Sequence, residues 1–332
     1  MSSRGYQKLY SKDFRSPKLA AHLAATLISF AAVPLPAFAH GFAGDRFFPA
    51  TISTDDPFAA SEMSLPTVSA IRLPGMPSFK DITLSADLSV LVLPRTALTI
   101  GDAYEIQKPP NQRAITGFDN TDLNILYEFF ENDKHEAITS LGLTWEIGGT
   151  GRHSLGASSF STLTPTFYFG KGFGDLPDQF PLLRPFALTG TLGLSIPTRA
   201  GNRSVVIDPS TGKETVSVSP NPDVLGWGFA LQYSLIYLQE HVKDIGLKAP
   251  FNHMIPLVEF AMATPLNRGA GGLTTGTVNP GVIWSGQYFQ VGCEAVIPIN
   301  HHTGSDVGVI AQLHFYLDDI FPQIFRKPLL TP

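Results

Sequence analysis

The chain has 332 residues and a formal net charge of −5, so it lacks the basic excess with which nucleic-acid-binding proteins neutralise phosphates. Charged residues make up only 15% of the chain, whereas Gly (30), Pro (27) and Phe (24) are frequent. The single cysteine, Cys293, excludes an internal disulfide and a cluster of thiolate metal ligands, and we expect its side chain to face lipid or core.

The first 39 residues have the features of an export signal. Basic residues from Arg4 to Lys18 precede an apolar run at residues 19–35, and Ala37-Phe38-Ala39 forms an A-x-A cleavage site before His40. The apolar run is short for a membrane anchor, and Pro34 and Pro36 interrupt it at its end. Residues 1–39 are therefore predicted to be a signal peptide. Residues 40–60 show no periodicity and are predicted to be an irregular periplasmic segment.

From residue 82 onward the chain repeats one pattern, in which large apolar side chains alternate with small or polar ones. A strand directs successive side chains to opposite faces, so each repeat has one apolar face and one polar face. The predicted strands cover residues 82–92, 98–106, 121–130, 138–147, 160–173, 186–196, 224–238, 256–264, 277–285, 288–297 and 306–317. Residues 62–73 are a poor strand candidate, because Pro66 interrupts them, but they are the only candidate for a strand before these.

Residues 224–238 show the pattern most clearly. One face carries Leu225, Trp227, Phe229, Leu231, Tyr233, Leu235 and Tyr237, and the other carries Gly226, Gly228, Ala230, Gln232, Ser234 and Ile236. This length exceeds that of a usual soluble strand and suits a transmembrane barrel strand, which is apolar toward lipid and polar toward the lumen. The aromatic residues Trp227 and Tyr237 are predicted to lie at the two membrane interfaces.

The fold class predicted from these repeats is all-β, a transmembrane antiparallel barrel of about 12 strands spanning residues 61–321, with a tail at residues 322–332. An exported soluble β-sandwich is the alternative. Short connections such as Pro94-Arg95 alternate with long polar ones, of which residues 199–222 are the longest and contain a predicted projecting hairpin. The sequence leaves open whether residues 62–73 form the first strand, and whether residues 40–60 or 199–222 plug the lumen.

Polar side chains on the predicted inner faces are the candidate lumen lining. They are Asp87, Glu105, Asp122, Glu128, Glu146, Gln232, Glu259, Gln290 and Glu294. One interpretation is a lumen that favours cations or neutral polar solutes, because charges of one sign focus the field. The other is that these groups form hydrogen bonds with neighbouring polar residues and close a narrow barrel. The residues alone do not separate the two.

Basic residues on the predicted outside loops are candidates for contacting lipopolysaccharide phosphates. They are Lys108, Arg113, Arg152, Arg199, Arg203 and Arg268. Ordinary solvated loop charges are the alternative.

Catalytic and metal-binding patterns are weak in this sequence. His153-Ser154 is the nearest approach to a Ser–His relay, but adjacent residues are poorly placed for one. His301-His302 lacks accompanying acidic or cysteine ligands. We therefore expect no catalytic residues, metal or cofactor.

These features resemble the outer-membrane channel family associated with meta-pathway phenol degradation, over roughly residues 81–321. The last predicted strand, with Gly308, Ala311, Leu313 and Phe315, is similar to the C-terminal signal read by the barrel-assembly machinery. The resemblance implies a channel in the outer membrane of a Gram-negative bacterium for small, aromatic or hydrophobic solutes. The alternatives are a barrel enzyme acting on lipids and a structural or surface-interaction barrel. The expected partners are outer-membrane lipid and lipopolysaccharide, the assembly machinery and a small solute, with no nucleic acid.

Overall fold

The structure is a computed structural model that describes residues 41–330 apart from 76–77, 208–213 and 270. The predicted signal peptide, residues 1–39, lies outside the described residues.

Twelve long strands account for most of the described chain, and they follow the alternating pattern of the sequence. They are β1 (Glu62–Leu73), β2 (Phe79–Leu93), β3 (Thr96–Lys108), β4 (Asp122–Asn132), β5 (Ala137–Glu146), β6 (Thr162–Gly172), β7 (Phe186–Pro197), β8 (Val224–Tyr233), β9 (Met254–Pro265), β10 (Thr275–Ser285), β11 (Phe289–Pro298) and β12 (Gly308–Tyr316). A further short strand, Ile115–Phe118, pairs with the end of β3.

The strands close into a barrel. Each strand pairs antiparallel with the next in the chain, and β12 pairs with β1 from Val309 opposite Ala70 to Tyr316 opposite Glu62. Closure lets the strands satisfy one another's backbone hydrogen bonds without leaving an open edge. The predicted barrel of about 12 strands is confirmed, and Glu62–Leu73 is its first strand.

The outer face of the barrel is apolar. On β5, for example, Leu141 and Trp145 are 52% and 44% exposed, whereas the alternate residue Ser140 is fully buried inside. Comparable exposed side chains recur around the barrel, including Leu98, Ile100, Ile125, Tyr127, Leu143, Phe167, Leu192, Leu231, Val291 and Val309. An apolar belt of this kind is the surface that a barrel presents to lipid.

The connections define two ends of the barrel. The turn end carries the connections at residues 94–95, 133–136, 173–185, 234–253 and 286–288. Strand β1 begins and strand β12 ends at this same end. The loop end carries residues 109–121, 147–161, 198–223, 266–274 and 299–307. The predicted projecting hairpin lies at the loop end, where Gly201–Ile207 pairs with Glu214–Pro220.

Helical turns are confined to the connections and the tail. Short 3-10 turns cover Asp133–His135, His153–Leu155, Pro181–Leu183 and Phe251–His253, a π turn covers Leu238–Val242, and α turns cover Leu235–Tyr237, Leu317–Ile320 and Pro322–Phe325. After the last turn, the backbone N–H groups of Leu329 and Leu330 donate to the carbonyls of Leu91 and Val92 on β2.

The prediction of one strand over residues 224–238 is wrong in its last five residues. Strand β8 ends at Tyr233, and the side chain of Ser234 then accepts a hydrogen bond from the backbone N–H of Tyr237. A serine that caps backbone N–H groups in this way starts a helical turn, which ends the strand. Tyr237 is consequently buried at the turn end and does not lie at a membrane interface.

Candidate functional site

Residues 41–60, called here the inner segment, run inside the barrel. The segment enters at the turn end, reaches the middle of the lumen near Ser53, and returns to the turn end to begin β1. Its first residues form a small antiparallel pair, Phe42–Ala43 with Arg46–Phe47. The sequence left open whether these residues plug the lumen, and the structure places them within it.

Arg46 anchors the segment at the turn end. Its guanidinium is fully buried, lies 3.2 Å from the Glu136 carboxylate, and donates to the carbonyls of Arg184 and Pro185. It also stacks on the Tyr237 ring, 3.6 Å from the centroid, while the Tyr237 hydroxyl donates to Glu136 over 2.8 Å. The guanidinium is thus enclosed by a carboxylate, two carbonyls and an aromatic face, which compensate its burial.

Burial shifts the pKa values of Arg46 and Tyr237 in this anchor. Burial lowers the pKa of Arg46, and the neighbouring Glu136 opposes that shift. Burial, with the hydrogen bond to Glu136, raises the pKa of Tyr237 to about 12. The Tyr237 phenol is therefore neutral at neutral pH, and the Glu136 carboxylate favours the charged form of Arg46.

Glu259, on β9, holds the middle of the segment. Its carboxylate accepts backbone N–H groups from Ile52 at 2.8 Å, Ser53 at 3.0 Å and Thr54 at 2.6 Å, and the Thr54 hydroxyl at 2.8 Å. The side chain is fully buried. A buried carboxylate requires such donors, since burying an uncompensated charge would cost on the order of several kcal/mol.

Neighbouring residues of the barrel wall add further hydrogen bonds to the middle of the inner segment. The Ser53 hydroxyl donates to Glu294 over 3.0 Å and accepts from the Asn279 amide over 2.6 Å. The Gln290 amide donates to the Ala50 carbonyl over 2.5 Å. Of the predicted lumen residues, Glu259, Glu294 and Gln290 are thus brought together around the inner segment, and Asn279 is a partner that the alternation did not single out.

The return of the segment is bonded to the opposite wall. The Ala59 N–H donates to Glu128 over 2.6 Å, and the Ser89 hydroxyl donates to the Ala60 carbonyl over 3.0 Å. An apolar cluster inside the barrel packs beside these bonds, made of Ala43, Phe48, Phe58, Ile138 and Ala187. The segment is therefore fixed by a buried ion pair, hydrogen bonds and apolar packing together.

Two glycines of the wall leave room for the segment. A Cβ at Gly228 would lie 2.8 Å from the Thr54 methyl group and 2.5 Å from a backbone oxygen, and a Cβ at Gly292 would lie 2.5 Å from the Ile52 side chain. The small residues on the inner faces of β8 and β11 thus allow the close approach of another chain segment.

A cavity of about 310 Å³, called here the passage, remains beside the segment. It extends from Glu62 and His314 near the turn end to Asp122 and Thr144 near the loop end. Within the described residues its lining contains five carboxylates and no lysine or arginine, the carboxylates being Asp55, Asp56, Glu62, Asp87 and Asp122. A second cavity of about 210 Å³ lies on the other side of the segment tip, against threonines and glycines of β6, β7 and β8.

The remaining predicted lumen residues make no hydrogen bond to the inner segment among the described residues. Asp87 and Asp122 line the passage. Gln232 is buried and donates to Thr189 over 3.2 Å, while Glu105 accepts from Gln107 over 3.2 Å. Glu146 accepts from the loop residue Asn120 over 2.7 Å.

One cluster of polar side chains in the passage was missed by sequence reasoning. Ser64 and Glu62, on β1, lie on either side of the imidazole of His314, on β12. These residues are about 250 positions apart in the chain and meet only because β12 closes on β1. Nothing in the local sequence around either strand signals that contact.

The loop basic residues fall into two groups. Arg152, Arg199 and Arg268 make contacts within the chain, including an ion pair of 2.9 Å between Arg268 and Asp223. Lys108, Arg113 and Arg203 are exposed.

The histidines singled out in the sequence lie at the loop end. His153 and Ser154 share a 3-10 turn, in which the Ser154 hydroxyl accepts from Arg152 over 2.8 Å. The rings of His301 and His302 lie 4.4 Å apart. No group of three or more potential metal ligands occurs in the part of the chain that the structure describes.

No helix among the described residues is long and apolar enough to cross a membrane. The closed barrel with its apolar belt instead makes the chain an outer-membrane β-barrel protein of a Gram-negative bacterium.

No protein-family model matches the chain, and no curated protein matches it. Among solved structures, the chain is similar to the NanC porin, with 7% identity, a TM-score of 0.42, and coverage of 76% of this chain and 98% of that one. It is also similar to the beta domain of the Bordetella autotransporter Brka, with 11% identity, a TM-score of 0.45, and coverage of 77% and 99%.

Proposed function

We propose that this protein is a channel for the passive passage of small cationic or neutral polar solutes, and that the inner segment restricts its lumen. The observation that carries the proposal is the passage, which runs beside the inner segment from the region of Glu62 to that of Asp122. A cavity that extends along the lumen beside the inner segment is the space in which a solute would diffuse.

The charge of the passage supports its selectivity. Asp55, Asp87 and Asp122 are exposed within the lumen, and no side chain of the described residues donates a hydrogen bond to their carboxylates. Carboxylates inside low-dielectric walls focus a negative potential, which concentrates cations and repels anions.

The passage also has an apolar wall, which bears on the kind of solute. Ile52, Phe58 and Leu126 line it together with the carboxylates. A small organic cation, with a charged group and an apolar body, matches both surfaces. The aromatic solutes implied by the phenol-family resemblance fit this lining best when they also carry a positive charge.

The experiment is a reversal potential measured in a salt gradient across a planar bilayer. The double variant Asp87→Asn, Asp122→Asn removes two charges of the passage. We expect the channel's preference for cations over anions to fall roughly several-fold in this variant. Asp178→Asn is the control, because Asp178 lies on an exposed connection at the turn end, pairs with Arg184 and does not line the passage. An unchanged reversal potential in the double variant, or an equal change in the control, would contradict the proposal.

We further propose that the exposed loop residues Lys108, Arg113 and Arg203 contact lipopolysaccharide phosphates, since among the described residues they have no ion pair or side-chain hydrogen bond like those of Arg152 and Arg268. Replacing the three with Gln is expected to weaken retention of lipopolysaccharide by the purified barrel, measured by native mass spectrometry. Equal retention by wild type and variant would remove this role.

A further inference from the structure

Three side chains in the passage are connected through one imidazole. The Ser64 hydroxyl lies 2.9 Å from Nδ1 of His314, and a carboxylate oxygen of Glu62 lies 3.2 Å from Nε2 of the same ring. Ser64 and His314 are 8% and 3% exposed, and all three residues line the passage. With Nε2 protonated and bonded to Glu62, Nδ1 is the acceptor of the serine proton.

A β-bulge brings these groups to the same face. On β1 the spacing from Ser64 to Thr67 is one residue longer than that of their partners His314 and Gln312 on β12. In a regular strand, positions 64 and 67 would point to opposite faces, but the extra residue turns both into the lumen. Bulges that redirect side chains in this way are frequent next to active sites.

We propose that Ser64, His314 and Glu62 form a hydrolytic site for small esters that carry a positive charge. Ser64 is the nucleophile, His314 is the general base and Glu62 is a positioning residue that holds the imidazole in one tautomer. The arrangement meets the geometric requirement for an activated serine, a base within hydrogen-bond reach and a third group that orients the base.

The reaction follows from these positions. Ser64 Oγ forms a bond to the ester carbonyl carbon while its proton moves to Nδ1 of His314, and the bond to the alcohol oxygen then breaks as the alcohol takes that proton. Water attacks the acyl group on Ser64, giving its proton to His314, and the acid leaves as Ser64 regains a proton. Gln312 lines the same passage; its amide nitrogen donates one N–H to Thr67 over 3.2 Å, and we assign its second N–H to the oxygen that becomes negative.

The substrate class follows from the lining. The passage combines carboxylates such as Asp87 with apolar side chains such as Phe58, so a cationic ester with a short apolar body is favoured over an anionic one. A volume of about 310 Å³ admits a small ester and excludes a diacyl lipid. The site is independent of conduction, because a closed channel could still hydrolyse an ester that enters from one end.

The first test is covalent labelling of the detergent-folded protein with diisopropyl fluorophosphate. Ser64 Oγ is expected to form a bond to phosphorus with loss of fluoride, the proton passing to His314, so that intact mass rises by one diisopropylphosphoryl group, located on Ser64 by peptide mapping. Ser64→Ala should gain none. Ser85→Ala is the matched control, because Ser85 lines the passage and has no histidine partner among the described residues. It should be labelled like the wild type.

The second test is hydrolysis of acetylthiocholine and of its uncharged carbon isostere, 3,3-dimethylbutyl thioacetate. We expect a preference for the cationic ester of about tenfold or more in kcat/KM. His314→Gln should lower kcat by about 10³-fold, and Glu62→Gln should lower kcat with little change in KM.

Heat-modifiable mobility on gels verifies that each variant has folded. A folded wild-type protein that is not phosphorylated, or a Ser64→Ala variant labelled as well as the wild type, would overturn the proposal and leave the three residues as a structural hydrogen-bond network. Labelling without preference for the cationic ester would retain the nucleophile and overturn the substrate class.

Discussion

Two sets of carboxylates share the inner wall of this barrel and differ in their surroundings. Glu259, Glu294 and Glu128 each accept hydrogen bonds from the inner segment and are nearly or wholly enclosed. Asp87 and Asp122 instead face the passage without such donors among the described residues. Residues of one chemical type on one face therefore divide into groups that hold the segment and groups that set the potential of the remaining space. The variants below separate these roles.

The largest effect is expected at the turn-end anchor, which holds the same segment as Glu259. Arg46→Met removes one partner of a buried ion pair and leaves Glu136 without it, which should lower the free energy of unfolding by about 3–5 kcal/mol. Urea unfolding in detergent measures this. Arg72→Met is the control, because its pair with Asp306 is about half exposed and should contribute about 1 kcal/mol or less. Equal losses in the two variants would refute the anchoring role.

A smaller effect is expected in the middle of the segment. Glu259→Gln keeps the shape of the side chain but removes the charge and leaves one acceptor oxygen for four donors, at a cost of about 2–3 kcal/mol. We also expect more frequent openings in single-channel recordings, since the segment is held less firmly. If Glu259→Gln conducts and unfolds as the wild type does, this carboxylate does not hold the segment.

The pH dependence of stability tests the tip of the inner segment, where Asp55 and Asp56 lie between the carboxylates that hold the segment and those that face the passage. Enclosure in the barrel, with the negative charges nearby, raises the pKa values of Asp55 and Asp56, although the Asp55 carboxylate borders the passage. The folded state therefore binds these protons more tightly than the unfolded state. The resulting stability is present below the ordinary aspartate pKa and is lost as pH rises through the raised values.

The test compares the wild type with Asp55→Asn and Asp56→Asn combined, which mimics the protonated pair. The variant should be more stable than the wild type near about pH 8, and the difference should shrink toward about pH 4. Unfolding midpoints across this range provide the measurement. A difference that does not vary with pH would show that these groups do not titrate between the two states.

The smallest effect on stability is expected in the passage. Asp122→Asn removes a charge that holds no part of the segment, so the free energy of unfolding should change by about 0.5 kcal/mol or less. The same urea measurement applies. A loss comparable to that of Glu259→Gln would abolish the division between the two sets of carboxylates.

Much of the fold could be predicted because alternation is a local property. Each strand from β2 to β12 carries its own apolar and polar faces, and the loop hairpin carries its own turn residues. Strand β1 is the exception, because Pro66 and the bulge between Ser64 and Thr67 interrupt its alternation. The end of β8 was missed because Leu235 and Tyr237 continue the alternation, whereas the capping by Ser234 depends on a single side-chain hydrogen bond.

The candidate site could be predicted only in part. The phase of a strand places Glu259 and Asp87 on one face, but their different surroundings depend on where residues 41–60 lie. That segment has no periodicity, and its conformation follows from contacts with residues about 200 positions away, as between Ser53 and Glu259. The pairing of Ser64 with His314 likewise depends on barrel closure and a bulge, neither of which leaves a local signal.

The location of the inner segment can be tested most directly by disulfide trapping between its tip and the wall. In a Cys293→Ser background, Ser53→Cys with Asn279→Cys should cross-link on mild oxidation, because the Ser53 hydroxyl lies 2.6 Å from the Asn279 amide and the two side chains meet. Ser53→Cys with Gly226→Cys is the control, since only a backbone oxygen of Gly193, at 3.9 Å, lies within 4 Å of a Cβ at position 226. We predict a bridge between positions 53 and 279 and none between 53 and 226, whereas no bridge in a folded barrel, or equal bridging in both, would contradict a lumen occupied by residues 41–60.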